Sequence, residues 1–137
     1  MGKELSDEEK AKIRFLVVDD MISMRRTIRN MLRQLGYVHI IEAEDGLDAW
    51  GKLPTAKIDV AIVDWNMPRM TGVELLRKAR ADDRFAKIPF IMITAEVDES
   101  TIAEAAETEV DAYIIQPFVA KVLEEKINAV MEKTANP

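Results

Sequence analysis

Apolar residues follow two rhythms that alternate along the chain. Short continuous runs, RFLVV (14–18), HIIEA (39–43), VAIV (60–63), FIMI (90–93) and AYII (112–115), are rich in β-branched and aliphatic residues and have strand length. Separating and following them, 23–35, 47–53, 73–80, 100–108 and 119–133 read as helices. In the first helix Met24, Ile28, Met31, Leu32 and Leu35 share one stripe, and Gly36 ends it. In the last, Val122, Leu123, Ile127, Val130 and Met131 do the same. Asp45-Gly46 signals a turn, Pro54 closes the second helix, and 66–72 reads as a loop because Pro68 and Gly72 interrupt regular structure.

Strands that alternate with helices, and that are apolar on both faces, imply a parallel sheet covered on both sides. The predicted architecture is a single α/β domain, doubly wound, with five strands and five helices over 13–133. Residues 1–12 form a polar extension in which Ser6 and Glu9 suit a capping box and a short helix. Residues 134–137 are a tail.

Composition narrows the function classes. With 48% apolar and 32% charged residues the chain is globular, and 137 residues suit one core. A net charge of −6 argues against sequence-independent nucleic-acid binding and against a polybasic membrane anchor. The absence of cysteine removes disulfides and thiolate metal sites and fits a cytoplasmic setting. No apolar run approaches the roughly 20 residues that span a bilayer. The first ten residues lack the apolar core of a secretory signal. They also fit a loose myristoylation pattern, one too permissive to carry weight.

In an open parallel sheet, ligands bind beyond the carboxyl ends of the strands. The residues there are Asp19 and Asp20 after strand one, Asp64 after strand three, Thr94 after strand four and Gln116 after strand five. Three carboxylates brought close repel one another unless a cation intervenes. Oxygen-only ligands suit Mg2+, and one carboxylate can then act as a nucleophile toward a phosphoryl group. Taken singly, Asp-Asp is a common turn and cap pair, Thr94 an ordinary strand-end residue and Tyr113 a half-buried sheet aromatic. Trp65 reads as a shield beside Asp64, His39 as structural or surface, and most of the eight methionines as core, with Met67 and Met70 near the site. The charges of Lys121, Glu124, Glu125 and Lys126 read as a solvated helix face.

The segments Leu16-Val17-Val18-Asp19-Asp20, Asp64-Trp65-Asn66-Met67-Pro68, Thr94-Ala95-Glu96 and Gln116-Pro117-Phe118 resemble the receiver domains of two-component signalling, nearest its chemotaxis branch. The likeness runs from about Arg14 to Lys133. It implies a flavodoxin-like sheet of order 2-1-3-4-5, an order carried from the family and not read from this chain. It also implies that Asp64 is the phosphoacceptor, with Mg2+ held directly by Asp20, largely through water by Asp19, and by Asp64 and the Asn66 backbone carbonyl. Thr94 and Tyr113 match the switch residues that remodel the surface of the fourth helix, fifth strand and fifth helix. Asn66 and Glu96 match positions that tune dephosphorylation. The implied partners are a histidine kinase as donor and an output protein such as the flagellar motor switch. The implied setting is the cytoplasm, and the implied state a monomer without nucleic-acid or membrane partners.

One position departs from the family. Receivers carry Lys where this chain has Gln116, which keeps donors but loses the positive charge. Glu109-Val110 also stands where the family has Gly-Ala. A degenerate receiver, acting as a phosphorylation-insensitive binding module or phosphate sink, is therefore the alternative reading. A small Mg2+-dependent phosphohydrolase is a third, opposed by the lack of a second acid spaced Asp-x-Asp and of a cap segment. A flavin carrier on the same fold is opposed by the acidic strand ends, which make a poor anion cradle.

Overall fold

The computed structural model describes residues 5–95, 103 and 110–135. Five strands, β1 (Arg14–Val18), β2 (His39–Ala43), β3 (Val60–Asp64), β4 (Phe90–Thr94) and β5 (Ala112–Ile115), form one sheet of order β2-β1-β3-β4-β5. Every pairing is parallel, as expected. The described helices are α1 (Asp7–Lys12), α2 (Ile22–Gln34), α3 (Gly46–Lys52), α4 (Gly72–Arg80) and α5 (Ala120–Ala135). Of the helix expected over 100–108, residue 103 is among the described residues and is helical; the others lie outside them.

Alternation along the strands divides the core between two faces. Leu16, Val18, Ala61, Val63 and Met92 point toward α3 and α4 and pack with Ala49, Leu53, Leu75 and Leu76. Phe15, Val17, Ile62, Ile91 and Ile93 point the other way, against Ile28 and Leu32 of α2 and Leu123 and Ile127 of α5. Each buried Val, Leu, Ile, Phe or Met side chain among them contributes about 1.5–3 kcal/mol of transfer free energy. Among the described residues, no helix is long and apolar enough to cross a membrane.

Local chemistry explains where the bounds depart from expectation. Helix α4 starts at Gly72 because Thr71 and Glu74 form a capping box, each side chain bonding the other's backbone N–H. Helix α3 starts at Gly46 because the Asp45 carboxylate accepts the Asp48 N–H at 2.8 Å. The ladder of β3 extends one residue further than expected, so Asp64 is the last residue of the strand, in register with Ile93. The short N-terminal helix is present, with the Ser6–Glu9 capping box complete. Its Lys10 ammonium donates to the Leu35 carbonyl at 2.6 Å, satisfying the end of α2.

Candidate functional site at the carboxyl edge of the sheet

The strand register gathers the acidic residues. Val18 of β1 lies opposite Val63 of β3, so the next residue of each, Asp19 and Asp64, end adjacent strands side by side. One carboxylate oxygen from each of Asp19, Asp20 and Asp64 lies within 4.8 Å of the others. Asp19 is buried and Asp20 exposed, with Asp64 between them. Asp19 Oδ1 accepts the Met21 N–H at 2.8 Å, which directs that carboxylate inward and leaves Asp20 the open one.

Electrostatics follow from this crowding. Burial, then the charges of Asp19 and Asp20, push the Asp64 carboxyl up to about 7 despite backbone N–H groups from Asn66 and Trp65 that oppose the rise. Asp19 is also held above the usual carboxylate range, chiefly by burial and then by the charge of Asp20, with the Met21 N–H and Arg25 pulling the other way. A site made only of oxygen donors, whose ionised form is disfavoured by its own neighbours, fits a hard divalent cation.

The other described residues of the expected set fall in β4, in β5 and in the segments that follow β3 and β5. Asn66 stands two residues after Asp64, its N–H directed at Asp64 Oδ1 at 3.4 Å. Thr94 is buried at the end of β4, and the Gln116 N–H donates to the Thr94 carbonyl at 2.8 Å. Tyr113 is half-buried in β5 opposite Met92 and packs on the α3–α4 face of the core. Trp65, Met67 and Met70 are buried in that same cluster, and His39 is exposed. Glu96 and Glu109 lie outside the described residues.

Two arginines that the sequence does not single out also bear on the site. Arg25 Nη1 donates to the Asp19 carbonyl at 2.7 Å while its Nε donates to Glu42 Oε1 at 3.3 Å. Arg69, in the loop after β3, pairs with the buried Asp45 in the loop after β2. The weak signals were a first-turn Arg behind the Asp pair and an Arg inside a Pro–Gly loop. Neither residue type has a fixed partner in sequence.

Comparison with known proteins gives a consistent result. Residues 15–128 match the response regulator receiver domain family. The chain is 46% identical over 121 residues to chemotaxis protein CheY of Pseudomonas aeruginosa, covering 88% of this chain and 98% of the relative. It is 48% identical over 120 residues to chemotaxis protein CheY1 of Helicobacter pylori, covering 87% and 97%. Among solved structures it is similar to Vibrio cholerae chemotaxis protein CheY4, with a TM-score of 0.81 at 32% identity, covering 88% of this chain and 99% of that one.

Proposed function

From the premise that this chain belongs to the response regulator receiver domain family, we propose the following division of labour in a CheY-like chemotaxis response regulator, a signalling phosphoacceptor and not a conventional enzyme. Asp64 accepts a phosphoryl group from a phosphohistidine of a sensor kinase. A carboxylate oxygen forms the new bond to phosphorus as the phosphorus–nitrogen bond breaks, and the leaving imidazole takes up a proton. Mg2+, when bound, neutralises charge on the phosphoryl oxygens.

The observation that carries this reading is the meeting of Asp19, Asp20 and Asp64 within 4.8 Å, with Asp64 pushed up to about 7. Asp20, the exposed member, serves as a direct ligand. Asp19, with one oxygen engaged by Met21, acts through water and fixes the geometry. The Asn66 carbonyl completes the metal site, and its side chain, with that of Glu96, tunes phosphate loss. Thr94 binds a phosphoryl oxygen, and its movement with Tyr113 alters the surface that an output protein reads. That partner is of the flagellar motor-switch kind, and the protein works in the cytoplasm.

Gln116 favours a second reading, in which phosphate binds without driving the switch. An amide in that place offers a hydrogen bond but no charge to draw toward the phosphoryl group. Incubation with acetyl phosphate and Mg2+, followed by intact-mass measurement, tests the first step. A single phosphoryl adduct that Asp64→Asn abolishes is the expected result, and no Asp64-dependent adduct with any donor overturns the proposal. Equal partner affinity of phosphorylated and unphosphorylated protein selects the second reading.

A further inference from the structure

Arg69 has a φ of +66°, a left-handed backbone conformation uncommon for a residue with a Cβ. Such strain persists where surrounding contacts over-determine it, and it concentrates at functional sites. The contacts are identifiable. Arg69 Nη2 donates to Asp45 Oδ2 and lies 3.5 Å from Glu44 Oε1. Asp45 is 2% exposed, and its second oxygen accepts the Asp48 N–H at 2.8 Å, so it is a fixed anchor and not a mobile counterion.

The loop tip is therefore tied to the β2–α3 loop. Next to the ion pair, Gly46 packs so closely that a Cβ there would lie 2.5 Å from the Met70 carbonyl oxygen. The base of the loop is closed by the Gly72 N–H donating to the Trp65 carbonyl at 3.2 Å. Asn66 lies between base and tip, two residues after Asp64, so the setting of the tip constrains its carbonyl.

Resting on the function proposed above, we infer that Arg69 is a positioning residue for the cation and phosphoryl site, acting through Asp45 to hold the β3–α4 loop. The inward pull of a buried carboxylate stabilises a backbone conformation that the chain would otherwise leave, and that conformation orients the loop's metal-facing carbonyl. Outer groups of this kind tune the affinity of the ligands they support.

Two variants isolate the pair. Arg69→Gly removes the side chain while keeping a residue at ease at positive φ. Asp45→Asn keeps the helix-capping oxygen and removes the charge. Calorimetric Mg2+ titration of the full chain should show each single variant binding roughly tenfold more weakly. The double variant should be no weaker than the weaker single, because one interaction is lost either way. Arg69→Lys should recover part of the loss, and thermal midpoints should not track the affinities. Arg69→Asn, which also tolerates positive φ, substitutes if the Gly variant fails to fold. Unchanged affinity in both singles, or losses that add in the double, overturns the inference. Wild-type Mg2+ binding that Asp64→Asn leaves intact overturns the proposed function and this inference together. Asp64-dependent binding with unaffected Arg69 variants overturns this inference alone.

Discussion

Arg80 of α4 and Asp111, the residue before β5, meet at 2.6 Å, and the same Asp111 oxygen accepts the Phe90 N–H at 2.7 Å. Arg80 also donates to the carbonyls of Ala86 and Ile88, at 3.1 and 2.6 Å. One partly buried ion pair thus ties the end of α4 to the starts of β4 and β5. Asp111→Ala should destabilise by about 2–4 kcal/mol, because it leaves a partly buried guanidinium without its counter-charge and a backbone N–H without its acceptor. Asp111→Asn should cost less, since it keeps an acceptor. Urea denaturation midpoints at pH 7 measure both, and equal midpoints for wild type and Asp111→Ala would show the pair to be energetically idle.

Metal-free stability should fall as pH rises through the site's titration. Asp64 has an ordinary value of 3.8 and is held at about 7 in the fold. Between these values the native chain keeps a proton that the unfolded chain has lost, so the unfolded state gains relative stability with each step in pH. The loss runs through about pH 7 and amounts to about 1–3 kcal/mol once solvent screening of this partly exposed group is allowed for. Asp64→Asn should remove that slope and raise the midpoint at pH 8 in chelator. An identical pH–stability profile for the two proteins would be the contrary result.

Adding Mg2+ should reverse the penalty, raising the thermal midpoint more at pH 8 than at pH 5, where Asp64 is protonated. Chelation should restore the original midpoint, and Asp64→Asn should respond much less. Scanning calorimetry with and without chelator supplies the comparison.

Gln116→Lys should place an ammonium beside the carboxylates, lower the Asp64 titration point and weaken Mg2+ binding in the unphosphorylated protein. After acetyl phosphate treatment it should also enlarge the backbone NMR shift changes in β5 and α5 relative to wild type. Identical shift changes in the two proteins would mean that residue 116 does not set the coupling.

Gly72→Ala should injure the site directly. A Cβ there would lie 2.3 Å from the Asp64 backbone carbonyl oxygen, so β3 or α4 must shift. The expected cost is about 1–3 kcal/mol, with weaker Mg2+ binding. Denaturation and metal titration of the same preparation distinguish a local shift from global unfolding.

Some of this molecule is legible in one dimension. Burial on both faces requires continuous apolar runs, so β1, β3 and β4 announce themselves, and a stripe at helical spacing does the same for α2 and α5. Asp19, Asp20 and Asp64 were accessible because a parallel sheet sends all its strand ends to one edge. The same logic located Thr94 and Gln116. Asp111 and Arg80 were not legible, being far apart in sequence and ordinary in type.

What the sequence determined by itself is thus the carboxylate set and the sheet that converges it, since hydrophobic period and chain direction are local properties. Only the tertiary structure decided that Asp19 is buried while Asp20 stays open, and that burial, with their proximity, pushes the Asp64 carboxyl up. It alone also matched Arg69 to Asp45, with a left-handed residue at the loop tip. Burial, mutual charge and ion pairing between loops depend on distances across the fold, and such distances are absent from the order of residues along a chain.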